Sequence, residues 1–201
     1  MPEIFFCSDT HFCHNQPFIY EPRGFTSVEE MNEQIIANWN KVVPKDGLTY
    51  HLGDTMLKDT ARGCELMKRL NGQIFLIWGN HDSDARKNAI FENCPNVIGG
   101  WYAYQIKHNK MNIYISHYPT ITSNYDEKHF SQHVLNLHGH THQQKNFLYP
   151  NNPFCYHVGM DSHNCTPVHI DEVMADVRQR WQDLQTLKIP IQELYSYPQD
   201  A

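Results

Sequence analysis

Ile4-Phe5-Phe6-Cys7-Ser8-Asp9-Thr10-His11 sets four apolar residues directly before a small, polar and acidic run. A short buried strand that empties into a loop carrying chemistry reads this way. The same grammar recurs along the chain. Leu48-Thr49-Tyr50-His51-Leu52 leads into Gly53-Asp54, and Ile74-Phe75-Leu76-Ile77-Trp78 into Gly79-Asn80-His81-Asp82. Ile113-Tyr114-Ile115-Ser116 leads into His117-Tyr118-Pro119, and Val134-Leu135-Asn136-Leu137-His138 into Gly139-His140-Thr141-His142. Each run is short and rich in β-branched and aromatic residues, and each closes on glycine or a polar turn.

Between these runs the spacing predicts helices. Ser27 and Glu30 stand at capping-box spacing, and Met31, Ile35, Trp39 and Val42 then form one apolar stripe. Shorter helices are expected over 60–70 and 83–91. A longer one is expected over 171–188, with Val173, Val177, Trp181, Leu184 and Leu187 on one face and Pro190 as its stop. Strand–helix alternation in the first half predicts an α/β core with parallel strands. Strands over 97–106, 111–116, 133–138 and 155–158 lack long helices between them, which predicts a second, mixed sheet. No composition break marks a linker, so 1–201 reads as one domain.

Composition narrows the function. Sixteen Lys and Arg against 22 Asp and Glu give a net charge of −6, and the basic residues come singly or in short pairs. A stripe that grips a long nucleic-acid duplex is not expected. No apolar run approaches the about 20 residues of a membrane span, and the N-terminus has no signal-peptide core. The expectation is a soluble, cytoplasmic protein with no membrane partner, its oligomeric state left open. Six cysteines without a Cys-x-x-Cys pair read as free, mostly buried thiols. Fourteen histidines, several clustered, are the first sign of metal chemistry.

Asp9, His11, Asp54, Asn80, His117, His140 and His142 all lie just past strand ends. In an α/β sheet those ends gather along one edge, the usual place for a ligand. The set supplies only carboxylate, amide and imidazole donors, which suits two divalent cations. A carboxylate such as Asp54 can bridge them with one oxygen for each. A neutral amide such as Asn80 completes a shell without adding charge, so the site stays positive toward phosphate. Mn, Fe, Zn or Ni fits such donors, and manganese is the preferred expectation.

Asp9-x-His11, Gly53-Asp54, Gly79-Asn80-His81-Asp82, His117 and Gly139-His140-Thr141-His142, in that order, resemble the five signature blocks of the calcineurin-like metallophosphoesterase superfamily. The blocks span residues 9–142. The Asp9-Thr10-His11-Phe12 start is also similar to small bacterial and phage-type phosphoesterases. The resemblance implies an α/β, two-sheet sandwich flanked by helices (αββα). It implies Asp9, His11 and His142 on one metal, Asn80, His117 and His140 on the other, Asp54 between them, and His81 as the catalytic histidine. The activity implied is hydrolysis of a phosphate ester through a dinuclear metal centre. A phosphodiester of a nucleotide or a nucleic-acid end is the first expectation, since an intact His81 can help a poor alkoxide leave. The alternatives are a phosphomonoesterase acting on a nucleotide, sugar or protein, and a non-catalytic scaffold.

Other residues have plainer readings. His51, His138, His157 and His169 read as core or surface histidines, while His14, His129 and His133 are open as cleft residues. Asp82 either orients His81 or caps the helix after it. Arg23 either reaches over the site to grip phosphate or, the preferred reading, is an ordinary solvated arginine. Cys13 reads as packing, and Trp39, Trp78 and Trp181 as core. The segments 12–26 and 118–133 carry no substrate assignment.

Overall fold

Phe5 and Cys7 of β1 (Ile4–Cys7) join one apolar core and Phe6 joins another, as the two-residue period of a strand requires. The computed structural model describes residues 2–124 and 128–187. Within them, β1, β2 (Leu48–His51), β3 (Gln73–Ile77) and β4 (Val97–Trp101) run parallel in the order β4-β3-β2-β1. A two-residue strand, β9 (Val168–His169), pairs antiparallel with the free edge of β1. The second sheet has the order β5-β6-β7-β8, formed by Ala103–His108, Met111–Ser116, Val134–His138 and Cys155–His157. β5 is antiparallel to β6, and β6, β7 and β8 are parallel, so this sheet is mixed.

The short α1 (Pro17–Tyr20) and the longer α2 (Val28–Val42) connect β1 to β2; α3 (Thr60–Met67) and α4 (Asp84–Asn93) make the next two crossovers. Met31, Ile35 and Trp39 of α2 pack with Phe5, Cys7, Ile74 and Leu76 in the outer core. Between the sheets, Phe6, Tyr50 and Ile77 meet Ile113, Ile115, Leu135, Leu137 and Tyr156. α5 (Ile170–Thr186) feeds Val173 and Val177 into that second core. The protein is thus an α/β two-sheet sandwich with flanking helices.

Local details depart from the sequence expectations. The run 97–106 is two strands: β4 completes the first sheet, and the chain crosses at Tyr102 to begin the second as β5. Ser27 caps α2 through Glu30 N–H at 3.1 Å, but the Glu30 carboxylate accepts from Thr26 N–H and Oγ1, one residue outside the expected box. Leu187 falls off the α5 stripe and is 68% exposed, because the helix ends at Thr186. Trp181 is half-buried against Phe130, whereas Trp39 and Trp78 are core. Pro190 lies outside the described residues.

Candidate metal centre

Sheet topology brings the loops together. The ends of β1, β2 and β3 are in register at Cys7, His51 and Leu76. The second sheet docks its own strand ends on this edge: His117 Nδ1 bonds the Leu52 carbonyl at 2.7 Å, and His140 N–H donates to Asp9 Oδ2 at 3.0 Å. The turns are sharp. Asp9, His11, Asp54, His140 and His142 all have left-handed backbones, with φ of 57°, 48°, 55°, 70° and 49°. Each such residue costs about 1–2 kcal/mol, a strain that concentrates at functional sites.

Two glycines make the close approach possible. Gly53 has φ of 91°, and a Cβ there would lie 2.5 Å from Gly79 N. A Cβ on Gly139 would lie 2.2 Å from Ser8 Oγ and 2.5 Å from Asp9 Oδ2. Asp82 ties the loops further, in neither of its expected roles. Its Oδ2 accepts from Asp54 N–H at 2.9 Å and Gly79 N–H at 2.8 Å, and Oδ1 from Thr55. α4 is capped by Ser83 instead. Asp82 is fully engaged as a clamp between two loops.

All seven expected donors converge. One donor atom each from Asp9, His11 and His142 lie within 4.8 Å of one another, as do those from Asp9, Asp54 and His117. His11 Nε2 stands 3.1 Å from His142 Nε2, and both are 3.9 Å from Asp9 Oδ1, a buried oxygen with no hydrogen-bond partner. Asp54 Oδ2 lies between the two groups, 3.9 Å from His11 Nε2 and 3.5 Å from His117 Nε2. Asn80 Oδ1 is 2.9 Å from both His117 Nε2 and His140 Nδ1.

Tautomers sharpen the point. A carbonyl only accepts, so His117 Nδ1 carries the proton given to Leu52, and the uncharged ring that a metal requires would turn its Nε2 lone pair toward Asn80 Oδ1. Two acceptors that close, beside an orphaned carboxylate oxygen, fit cations held among them. His81 stands at the open rim. Its backbone N–H donates to Asp54 Oδ1 at 2.9 Å, and its exposed ring lies 5.8 Å from that of His11.

Electrostatics follow the crowding. Burial pushes the Asp9 carboxyl up, but His142, His11 and His117 and the Ser8 hydroxyl outweigh it and hold it low. Burial also raises Asp54, against the pull of His117. Burial drives His11 well below the histidine range. His142 rises in spite of burial, because Asp161 accepts its Nδ1–H at 3.0 Å.

The remaining histidines divide. His14 lines the cleft, its ring 5.2 Å from His11. His133 instead stacks on Phe154 at 4.0 Å at the start of β7, and His129 precedes a single 3-10 turn at 130–132; both belong to the opposite end of that strand. His169 caps α5. Cys13 packs on the outer core, and all six cysteines are free. Arg23 is neither solvated nor poised over the site. Its side chain is 1% exposed and bonds Asp161, a residue the sequence reading did not single out.

His51 and His157 are deep core residues, each with one ring nitrogen lacking a partner. Burial lowers them to about 4 and about 3 from an ordinary 6.5. The unfolded chain therefore binds their protons first. Stability is complete above about pH 6.5 and falls as the pH drops toward the folded values. At about pH 5 each histidine costs roughly 2 kcal/mol. Urea midpoints of metal-stripped protein should fall steadily between these pH values; a flat profile would contradict the assignment of both as neutral core histidines.

The calcineurin-like phosphoesterase pattern matches residues 2–192. The chain is similar to an uncharacterized protein of Methanocaldococcus jannaschii, 35% identical over 179 residues that cover 87% of this chain and 90% of that protein. It is also similar to the gene 66 protein of Mycobacterium phage D29, 25% identical over 89% of this chain and 99% of that one. A solved structure of a protein of unknown function from Aquifex aeolicus shares the fold, with a TM-score of 0.67 and 24% identity over 87% of this chain and 99% of that chain. Among the described residues no helix is long and apolar enough to cross a membrane.

Proposed function

The chain belongs to the calcineurin-like phosphoesterase family, and from that premise we propose that it hydrolyses a phosphodiester of a nucleotide or a nucleic-acid end with two divalent cations. Asp9, His11 and His142 would hold the first, Asn80, His117 and His140 the second, and Asp54 both. Manganese is kept as the preferred ion, although carboxylate, amide and imidazole donors without thiolate suit iron, zinc or nickel as well. The observation that carries the reading is the convergence of seven such donors from five strand-end loops.

When bound, two such cations supply charge neutralisation of the phosphoryl oxygens and a water acidified toward neutral pH. The protein's own groups do the rest. Two carboxylates against two divalent charges leave the cleft attractive to phosphate. Ser8 and the His140 N–H keep one Asp9 oxygen occupied at 2.5 and 3.0 Å, so that the other faces the donors. His81, anchored through its backbone to Asp54, holds a proton for the leaving oxygen. The net charge of −6 favours a nucleotide or a strand end over a long duplex. The six free thiols suit a reducing compartment, so the reading includes a cytoplasmic location and one catalytic domain over the whole chain.

A panel of aryl and alkyl phosphodiesters, cyclic nucleotides, oligonucleotides and phosphomonoesters, each with manganese, tests the substrate class. Diesters should turn over faster than the matching monoesters. The reverse order would make the protein a phosphomonoesterase, and silence across the panel with every metal would favour a scaffold.

A further inference from the structure

Arg23 and Asp161 form a buried pair beneath the first group of donors, their side chains 1% and 5% exposed. Nε and Nη2 of Arg23 each donate to a different Asp161 oxygen at 2.9 Å. Nη2 also donates to the Asp9 carbonyl at 2.8 Å, and Nη1 to the Thr10 carbonyl at 3.4 Å and the Met31 sulfur at 3.5 Å. A guanidinium has five N–H groups, and here all five are directed inward. None is left to grip a substrate phosphate. On its far side, Asp161 Oδ2 accepts from His142 Nδ1.

We propose that Arg23 and Asp161 are positioning residues for the first cation site. Asp161 fixes His142 with its Nε2 lone pair toward His11, and Arg23 locks Asp161 and the left-handed Asp9 backbone into one frame. The inference rests on the two-cation reading above. In the second site His117 is oriented differently, by the neutral Leu52 carbonyl. A carboxylate behind a ligating histidine fixes its tautomer and raises its basicity, and losing one typically costs about 10–100-fold in metal affinity. Arg23 suits the role through its planar fork, which lysine cannot copy.

The test strips the full-length protein of metal and titrates it with Mn²⁺ by calorimetry, beside the Asp161→Asn and Arg23→Lys variants. The parent should bind two ions. Asp161→Asn should weaken one of them about 10–100-fold and leave the other unchanged. Arg23→Lys should weaken the same site by less, because it keeps a cation beside the carboxylate. A second readout needs no variant: ¹⁵N shifts of His142 in the metal-free parent at mildly alkaline pH should report a proton on Nδ1. Two parent-like affinities in both variants, or a His142 proton on Nε2, would overturn the inference and leave the two-cation reading intact. A parent that binds no Mn²⁺ would overturn both.

Discussion

Asp54→Ala should depress hydrolysis more than His11→Ala does, and should retain fewer ions per chain than His11→Ala. Asp54 Oδ2 faces both donor groups, at 3.9 Å from His11 Nε2 and 3.5 Å from His117 Nε2. Its Oδ1 is the acceptor for His81 N–H. Truncation thus removes a donor from each site and frees the loop that carries His81. It also puts alanine at φ of 55°, where Cβ clashes with the backbone and asparagine or aspartate is better tolerated. The expected loss exceeds the about 10–100-fold typical of a supporting contact. Emission spectroscopy counts the metal and steady-state kinetics the turnover; two ions with normal turnover in Asp54→Ala would remove Asp54 from the bridge.

His81→Ala should keep both ions and the fold yet lose about 10²–10⁴-fold in turnover, the range general acid assistance supplies. Its ring is exposed at the rim, edge-on to His11 at 5.8 Å, and its hydrogen bond to the donors runs through the backbone N–H. The defect should deepen as the leaving group becomes more basic. An activated nitrophenyl ester would hide much of it, and an alkyl diester would reveal it. The measurement compares variant and parent across leaving groups of rising pKa at saturating manganese. A flat ratio accompanied by loss of bound metal would make His81 a ligand or a structural residue.

The seven donors and the sheet carrying most of them were legible because strand ends are local signals. An apolar run closing on Gly53-Asp54 or Gly79-Asn80 announces itself within a few residues, and parallel pairing then gathers such ends. The crossing between sheets at Tyr102 was not legible, since β4 and β5 adjoin and both read as strand. The clamp role of Asp82 is not legible because two of its partners, Asp54 N–H and Thr55, lie 28 and 27 residues away, while the helix it precedes is adjacent. Arg23 was misjudged for the same reason. An arginine in a Pro-containing loop is ordinarily solvated, and its partner Asp161 is 138 residues distant. A charge that is buried only because a remote charge meets it leaves no local mark.

Anomalous diffraction from crystals loaded with Mn²⁺ tests the central claim most directly. Two peaks are expected, one among Asp9, His11 and His142 and the other among Asn80, His117 and His140, with Asp54 Oδ2, the oxygen that faces both groups, between them. A single peak at full loading, or peaks away from these residues, would contradict the dinuclear centre.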